Sequence, residues 1–166
     1  MKILILGAGK MGSWLIESLC LDYEVAAFDS DLPRLKYFFN TLKLVSYEEI
    51  REFDPDICIN AVNLQLTVPV FREVLPYLSE KCILADITSV KNGLRKFYPE
   101  VGRRFVSTHP MFGPTFANLR DLTGQSAIII SESDPEGKAF FRNFFESFNL
   151  SIFEYSFLEH DQTIAY

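Results

Sequence analysis

Short apolar segments and helix-like segments alternate along this chain from its first residues, and this alternation restricts the fold more than any other feature. Ile3–Leu6 is an apolar run that is long enough for one buried strand, and Met11–Cys20 follows it with apolar residues on one helical face. The alternation continues almost to the last residue. Such units predict an α/β fold in which helices cover both faces of a mostly parallel, doubly wound sheet.

The remaining segments follow the same order. The expected strands are Val25–Phe28, Asp56–Ala61, Cys82–Ala85, Arg104–Thr108, Ala127–Ser131 and Ile152–Tyr155. The expected helices are Pro33–Asn40, a short one after the capping box at Ser46, Val68–Leu78, Glu136–Phe148 and one that begins near Phe157. The 166 residues suit one compact domain with a sizeable core.

Composition argues against several classes of partner. The chain has 16 Lys and Arg against 22 Asp and Glu, a net charge of −6, whereas nucleic-acid binding usually needs a basic face. The apolar start at Ile3–Leu6 is too short for a signal-peptide core or a membrane span. The three cysteines lack metal-like spacing, and we expect them to be small buried residues. We therefore expect a cytoplasmic protein with no nucleic-acid partner, no membrane partner and no metal.

The first glycines have the spacing of a dinucleotide-binding fingerprint. Gly7, Gly9 and Gly12 follow one strand, open a helix and precede a second strand. In that setting the first glycine allows a tight turn, the second lets the backbone approach a pyrophosphate, and the third lets the helix pack on the strand. The helix N-terminus offers amide donors to the phosphates. The residues predicted to bind the dinucleotide, in a fold of the Rossmann type, are Gly7, Ala8, Gly9, Lys10, Met11 and Gly12.

Asp29 closes the second expected strand. A carboxylate at this point accepts hydrogen bonds from the adenosine ribose hydroxyls and repels a 2′-phosphate, so the sequence favours NAD over NADP. The alternative is that Asp29 or Asp31 caps the helix that follows. Because Asp31 is placed to provide that cap, we assign Asp29 to the ribose. Arg34 lies nearby in sequence and offers a charge that would accommodate a phosphate.

Two further strand ends carry small or hydroxyl-bearing residues. Ala61 and Val62 close one strand, where small side chains let the chain pass beneath a cofactor; a simple strand-to-helix turn explains them equally well. Thr88 and Ser89 follow the next strand and are placed to reach either the nicotinamide of a cofactor or His109. Capping of the following helical segment is their alternative role.

One run places a titratable imidazole on a restricted backbone. This run is His109-Pro110-Met111-Phe112-Gly113-Pro114. A residue before proline is pushed out of the helical region, so we expect His109 to be extended at a strand end. Open α/β sheets bind their ligands at such ends. Taken alone, the run also fits a rigid loop with an incidental histidine.

Other charged groups lie in the same half of the chain. Five cations precede His109, namely Lys91, Arg95, Lys96, Arg103 and Arg104. A solvated face is the default expectation for such a run, which is also where this acidic chain offers charge to a carboxylate. His160 has no partner at metal-ligand spacing except Asp161. We therefore expect His160 to make a polar contact at the surface or between domains rather than to bind metal.

Taken together, these motifs resemble the prephenate/arogenate dehydrogenase family of tyrosine biosynthesis. The nucleotide-binding domain of that family carries GxGxxG, a D-x-x-S-V-K stretch and H-P-M-F-G-P in this order, and the second motif is matched here from Asp86 to Lys91. The resemblance covers essentially the whole chain, including Glu159-His160-Asp161. It implies NAD as cofactor and a small anionic substrate, prephenate or arogenate.

The resemblance also implies roles for two residues. His109 is then the catalytic histidine that engages the ring hydroxyl, and Ser89 is the serine that orients this histidine and approaches the nicotinamide. The implied reaction is an oxidative decarboxylation in which hydride passes to NAD, carbon dioxide departs and the ring becomes aromatic. A neutral imidazole can accept the hydroxyl proton as the carbonyl develops. Pro114-Thr115-Phe116 depart from those members that place an acidic residue after the motif.

The last residues suggest that the chain continues into another domain. Ser156 begins a capping box, and the helix that starts near Phe157 reaches Tyr166 without a stop signal. We expect residues 1–156 to form an NAD-binding Rossmann domain and residues 157–166 to begin a helix that leads to a further domain. The resemblance implies that this further domain is helical, forms a homodimer and supplies an arginine for the substrate carboxylate. The chain alone is then expected to bind NAD but to turn over poorly or not at all.

Two other functions fit the same residues. A different dehydrogenase of the β-hydroxyacid-type superfamily, acting on a hydroxy acid or an imine, would lose little turnover in a His109→Asn variant. A non-catalytic regulatory module would bind NAD without hydride transfer. The pair of Ser89 and His109 argues against a regulatory module, because a sensor has no use for a base beside the nicotinamide.

Overall fold

The computed structural model describes residues 1–113 and 120–164, which form two compact units, Met1–Leu84 and Ala85–Tyr166. Strands and helices alternate through both units, and the strands pair mostly in parallel, so the expected α/β fold is confirmed. The departure from the family pattern at Pro114-Thr115-Phe116 lies outside the described residues.

The first unit is built on a parallel β-sheet. Its strands are β1 (Lys2–Leu6), β2 (Glu24–Phe28), β3 (Thr41–Leu44) and β4 (Ile57–Asn60), and its α-helices are α1 (Lys10–Leu19), α2 (Tyr47–Phe53) and α3 (Thr67–Val74). The strand order is β3-β2-β1-β4, with Leu6 of β1 opposite Phe28 and Asn60. This register brings the ends of three strands to one edge.

Burial explains the sequence pattern of the central strands. All of β4 and all but the first residue of β1 are buried, so both faces of these strands are covered and their sequences are continuously apolar. Helix α1 packs on β1 and β2 and buries Trp14, Leu15 and Leu19, as expected. The three cysteines are also buried, as expected.

The segment after β2 differs from the sequence expectation. The helix predicted over Pro33–Asn40 is only a short 3₁₀ turn, Leu32–Leu35. Asn40 then adopts a φ of +50°, and its side-chain amide donates to the Cys20 carbonyl at 2.5 Å. Asparagine tolerates this left-handed conformation better than most residues, and the chain turns there into β3, a strand that was not predicted.

The second unit combines one antiparallel and one parallel strand pairing. Strand β5 (Ile83–Asp86) leads into it, and its other elements are α4 (Asn92–Val101), β6 (Phe105–Pro110), β7 (Ser126–Ile130), α5 (Pro135–Glu146), β8 (Ser151–Tyr155) and α6 (Phe157–Ile164). Strand β6 pairs antiparallel with β7, and β7 pairs parallel with β8. Helix α5 packs on all three strands.

Helix starts predicted from capping residues are confirmed. Ser46 accepts from the N–H of Glu49 at the start of α2, and the Asp134 carboxylate accepts from two main-chain N–H groups at the start of α5. At α6, Ser156 Oγ accepts from the Glu159 N–H, and Glu159 accepts in return from the Ser156 N–H. Within the described residues, no helix has both the length and the apolar character needed to cross a membrane.

Candidate functional site

The glycine turn of the first unit borders an open cleft of about 350 Å³. Five of the residues predicted to bind a dinucleotide line it, namely Gly7, Gly9, Asp29, Ala61 and Val62. These residues come from the ends of β1, β2 and β4, which the parallel register places at one edge of the sheet. The structure therefore brings together residues that are up to 55 positions apart in the sequence.

Close contacts explain two of the glycines. Gly7 has a φ of +93°, and its N–H donates to the Phe28 carbonyl at 2.8 Å. A Cβ on Gly12 would lie 1.9 Å from the Gly7 carbonyl oxygen, so only glycine lets α1 approach β1 this closely. Gly9 precedes the first residue of α1 and has no side chain to cap it, and Gly9 lines the cleft.

The three other fingerprint residues have different positions. Lys10 and Met11 begin α1, with Lys10 exposed and Met11 partly exposed. Ala8 is buried, and its N–H donates to Asp29 Oδ2 at 2.7 Å. The N-terminal end of α1 therefore borders the cleft with amide donors and the positive end of the helix dipole, a combination that attracts phosphate groups.

Asp29 is held by the main chain at the end of β2. Besides the Ala8 N–H, it accepts from the Asp31 N–H at 2.8 Å, and only 9% of the residue is exposed. The expectation that Asp31 caps a following helix is wrong, because its side chain makes no capping hydrogen bond to the 3₁₀ turn and pairs with Arg34 at 3.2 Å. Arg34 also lies 3.9 Å from Asp29, so a cation borders this end of the cleft.

Sequence reasoning missed the apolar and aromatic residues that line the cleft. Tyr47 of α2 and Val70 of α3 line it together with Leu66 and Phe28. The rings of Phe28 and Tyr47 are 5.4 Å apart. The Tyr47 hydroxyl donates to Glu73 at 2.7 Å, and this hydrogen bond raises the pKa of Tyr47. Tyr47 and Val70 come from two different helices, Leu66 precedes α3 and Phe28 ends β2. The four residues form no motif, so nothing in the sequence indicated their common position.

A network of polar side chains, buried except for the partly exposed His109, lies in the second unit. Its residues are Asp86, Thr88, Lys91, Tyr98, Thr108, His109 and His160, which we call the His109 cluster. Its centre is an ion pair between Lys91 Nζ and Asp86 Oδ1 at 2.6 Å, and both side chains are fully buried. The expectation of a solvated charge run is therefore wrong for Lys91. Burial lowers the pKa of Lys91, and the neighbouring Asp86 charge opposes that shift.

The ion pair fixes the loop after β5 and the strand β6. Lys91 Nζ also donates to the Thr108 carbonyl at 2.6 Å, and the Tyr98 hydroxyl donates to Asp86 Oδ2 at 2.7 Å. The Thr88 N–H and hydroxyl each lie 3.0 Å from Asp86 Oδ1. These hydrogen bonds of Thr88 hold the loop after β5. Lys91 is the residue directly before α4, so its ion pair with Asp86 also fixes the start of that helix.

His109 is extended within β6, opposite Ile128 of β7, as the proline after it predicts. Its Nδ1 lies 3.1 Å from Nε2 of His160. Burial, followed by the positive charge of Lys91 and by His160, lowers the pKa of His109 from its ordinary 6.5 to about 4. The imidazole is therefore neutral at pH 7 and able to accept a proton. Ser89, which was expected to orient this ring, is exposed.

His160 is the cluster residue whose position was not foreseen. We expected a polar contact of His160 at the surface or between domains. The contact exists, with His109, but His160 is 1% exposed, so the surface location is wrong. Burial together with Lys91 lowers the pKa of His160. The signal that could have found it is the spacing of Phe157 and His160, which lie three residues apart on one face of α6 and are both buried. In the described residues, no group of three or more His, Cys, Asp or Glu side chains could hold a metal ion.

The two regions have different chemical capabilities. The cleft offers a glycine turn, a helix N-terminus, the Asp29 carboxylate held by main-chain N–H groups, and an apolar lining, which together fit a dinucleotide. The His109 cluster offers a neutral imidazole that is oriented by hydrogen bonds and partly exposed, as a general base requires.

Comparison with known proteins gives a consistent result. A family model described as prephenate dehydrogenase, nucleotide-binding domain, matches residues 39–146. A protein of Methanocaldococcus jannaschii described as a probable arogenate/prephenate dehydrogenase is 43% identical over 67 residues, which are 39% of this chain and 15% of that protein.

Two solved structures share the fold. Synechocystis arogenate dehydrogenase superposes with a TM-score of 0.83 at 20% identity, over 99% of this chain and 63% of the other. Prephenate dehydrogenase from A. aeolicus, in complex with hydroxyphenyl propionate and NAD⁺, superposes with a TM-score of 0.81 at 19% identity, over 98% of this chain and 62% of the other. The chain thus spans less than two thirds of the length of each of these three relatives.

Proposed function

This chain belongs to the family of prephenate dehydrogenase nucleotide-binding domains, and from that premise we propose that it is the NAD-binding and proton-accepting half of an enzyme that oxidatively decarboxylates prephenate or arogenate. The observation that carries the proposal is His109, a neutral imidazole within the H-P-M-F-G-P run whose Nδ1 is engaged by a buried partner. One ring nitrogen, Nε2, is then left for a substrate hydroxyl.

We assign NAD as the cofactor on the chemistry of the cleft. Gly7, Gly9 and the start of α1 would hold the pyrophosphate, and Asp29 would accept hydrogen bonds from the ribose hydroxyls. The main-chain N–H groups that donate to Asp29 fix its carboxylate where it would repel a 2′-phosphate. The presence of NAD⁺ in the A. aeolicus prephenate dehydrogenase structure supports this assignment.

In the proposed reaction, bound NAD supplies the acceptor for the two electrons that leave the substrate. His109 Nε2 accepts the proton of the ring hydroxyl as the carbonyl develops, and the low pKa of His109 keeps this nitrogen free at neutral pH. Lys91 holds the strand that carries His109 through the Thr108 carbonyl. Ser89 and Thr88, which follow β5, are proposed to contact the reacting end of the cofactor or substrate.

The remaining parts of the enzyme are proposed from the family alone. Residues 1–156 would form the NAD-binding domain, and residues 157–166 would lead into a helical domain that forms a homodimer and binds the substrate carboxylate. The enzyme would act in the cytoplasm. The partial coverage of the solved relatives, 62% and 63% of their lengths, supports a second domain.

The first experiment measures NADH formation by the natural full-length polypeptide with prephenate and with arogenate. Wild type is expected to turn over one of them, and His109→Asn is expected to lower kcat by at least about hundredfold, as loss of a general base does. The affinity of His109→Asn for NAD, measured by titration calorimetry, is expected to stay near wild type. Robust turnover by the variant would favour another dehydrogenase of the superfamily, and NAD binding without any turnover would favour a regulatory module.

The cofactor assignment has its own test. Asp29→Asn keeps an oxygen for the Ala8 N–H but removes the charge that would repel a 2′-phosphate. We expect the preference for NAD over NADP to fall by about tenfold, because a change of roughly 1.4 kcal/mol in the repulsion between the buried carboxylate and a 2′-phosphate corresponds to that factor. The preference is measured as the ratio of the dissociation constants for NADP and NAD, in the wild type and in the variant. An unchanged ratio would place the ribose away from Asp29.

A further inference from the structure

His160 is a buried titratable group that the proposed reaction does not itself use. Its Nε2 lies 3.1 Å from His109 Nδ1, and its other ring nitrogen, Nδ1, lies 3.5 Å from Asp161 Oδ1. Asp161 is 30% exposed on its side chain and pairs with Arg95 at 3.7 Å. A line of polar groups thus connects the ring of His109 to a carboxylate at the edge of the unit.

The fold fixes the position of His160. It lies one helical turn after Phe157 on the buried face of α6, and the ring of Phe157 stacks on Phe105 of β6 at 6.1 Å. The capping box between Ser156 and Glu159 holds the start of the helix. The contact between the two histidines therefore joins regular elements, α6 and β6.

The proton positions in this line follow from its two ends. An ionised carboxylate only accepts hydrogen bonds, so Asp161 requires His160 to carry a proton on Nδ1. Burial and the charge of Lys91 lower the pKa of His160, so the ring is neutral at pH 7 and its Nε2 is an acceptor. His109 must then donate from Nδ1, which leaves its lone pair on Nε2.

We propose that His160 and Asp161 are positioning residues that hold His109 as the Nδ1–H tautomer, with Nε2 as the basic nitrogen. The catalytic consequence rests on the proposed function, because Nε2 is the atom that would take the hydroxyl proton. In that step the substrate O–H bond breaks, an N–H bond forms at Nε2, and the O–H electron pair stays on oxygen for the carbonyl. The charge of the imidazolium is stabilised through its Nδ1–H by His160 and Asp161. As carbon dioxide departs and the ring becomes aromatic, the electron pair of the broken C–C bond returns to the ring oxygen, which takes back the proton from Nε2 as the phenol O–H and leaves the imidazole neutral.

The tautomer is tested by long-range ¹H–¹⁵N NMR on the 166-residue chain with ¹⁵N-labelled histidine. The chain contains two histidines, so the His109→Asn spectrum assigns both rings. Wild-type His109 is expected as the Nδ1–H tautomer. His160→Leu removes the acceptor and is expected to give a mixture of both neutral tautomers. His160→Gln restores an acceptor oxygen and is expected to return His109 to the wild-type tautomer.

The kinetic consequence is tested in the natural full-length polypeptide. We expect His160→Leu to lower kcat by about tenfold to hundredfold with little change in KM, a fraction of what a general base contributes. His160→Gln is expected to recover most of this loss. Asp161→Asn is expected to lower kcat less than His160→Leu does. Because the Asp161 side chain is partly exposed, Asp161→Asn is expected to fold, and it tests the proposal if His160→Leu does not fold. Gln162→Ala, an exposed change on the same helix, is the matched control and is expected to leave both measurements unchanged.

The two proposals fail in different ways. A wild-type His109 tautomer in both folded His160→Leu and Asp161→Asn would overturn the positioning role, as would equal values of kcat for His160→Leu and His160→Gln. Absence of turnover by the wild-type enzyme would instead contradict the proposed function. The tautomer measurement needs no substrate, so it would still decide whether His160 and Asp161 control the ring of His109.

Discussion

The glycine turn at the cleft of the first unit is built mainly from backbone groups, whereas the His109 cluster of the second unit is built mainly from buried polar side chains. At the cleft, glycines make room for close main-chain contacts, and the carboxylate of Asp29 accepts from main-chain N–H groups. In the cluster, Asp86 accepts hydrogen bonds from the side chains of Thr88, Lys91 and Tyr98. The glycine turn depends on the absence of side chains at Gly7 and Gly12. The His109 cluster instead depends on every buried polar side chain keeping its hydrogen-bond partner.

This difference determines how each region can be damaged. A buried charge that loses its partner keeps the cost of its desolvation, so the cluster is most sensitive to the removal of a side chain. A glycine turn is most sensitive to the addition of one. The predictions below test this contrast, starting with the largest expected effect.

The largest effect is expected from Lys91→Met. The variant leaves the fully buried Asp86 carboxylate without its cation, and breaking such a pair typically costs about 3–5 kcal/mol of the free energy of unfolding. Urea denaturation measures this loss. The double variant Lys91→Met/Asp86→Leu, which removes both charges, is expected to recover a large part of it.

Lys81→Met provides the matched control for that experiment. Lys81 forms ion pairs with Asp54 and Asp56, but its side chain is 52% exposed, so solvent screens the interaction. We expect a much smaller change in stability than for Lys91→Met. Equal changes in the two variants would show that burial of the Lys91 pair does not set its importance, and the contrast between the two regions would lose its basis.

The contrast also explains which features the sequence could predict. The glycine fingerprint was readable because its spacing, within six residues, reports one local backbone geometry. The contact between His109 and His160 joins residues 51 positions apart, and no local sequence pattern predicts it. We expected Lys91 to be exposed to solvent, because runs of charged residues usually are exposed. Its burial depends on neighbours that are distant in the sequence, so only the structure shows it.

The fold follows the same logic. Buried central strands such as β1 and β4 were predictable because their apolar character is continuous. The edge strand β3 was not, because two of its four residues are exposed and its sequence has no strict pattern. Its start depends on the left-handed conformation of Asn40, which the contact with the Cys20 carbonyl stabilises. That contact joins residues 20 positions apart, so the local sequence favoured a helix instead.

A pair of glycine variants probes the cleft, with an intermediate expected effect. In Gly12→Ala the added Cβ collides with the Gly7 backbone, so α1 must shift from β1; we expect a loss of about 1–3 kcal/mol or more in the free energy of unfolding, together with weaker NAD binding. In Gly9→Ala, the added Cβ meets no atom of the described residues within 4 Å, so stability is expected to stay near wild type.

The Gly9→Ala variant is nevertheless expected to bind NAD at least about tenfold more weakly, because the methyl group would lie where we propose that the backbone approaches the pyrophosphate. Thermal unfolding and titration with NAD separate the two quantities. Normal NAD binding by Gly9→Ala would place the phosphates elsewhere, and a normal melting temperature for Gly12→Ala would mean that α1 and β1 can separate at little cost.

The smallest effect is expected from pH, and it too belongs to the His109 cluster, which contains both histidines of the chain. The pKa of His109 is about 4 in the folded state and 6.5 in its ordinary state, so between these values the unfolded chain binds more protons than the folded one. The contribution of His109 to the free energy of unfolding is therefore fully present above pH 6.5 and decreases as the pH falls toward 4. From pH 6.5 to 5 we expect the free energy of unfolding to decrease by an amount on the order of 1 kcal/mol.

This pH range separates the histidines from the carboxylates. The lowered pKa values of the carboxylates of Asp54, Asp121, Asp134 and Glu154 affect stability mainly below pH 5. His109→Asn, measured by urea denaturation over the same range, is expected to lose less stability than wild type. An equal loss in both proteins would show that His109 is not held neutral by its surroundings.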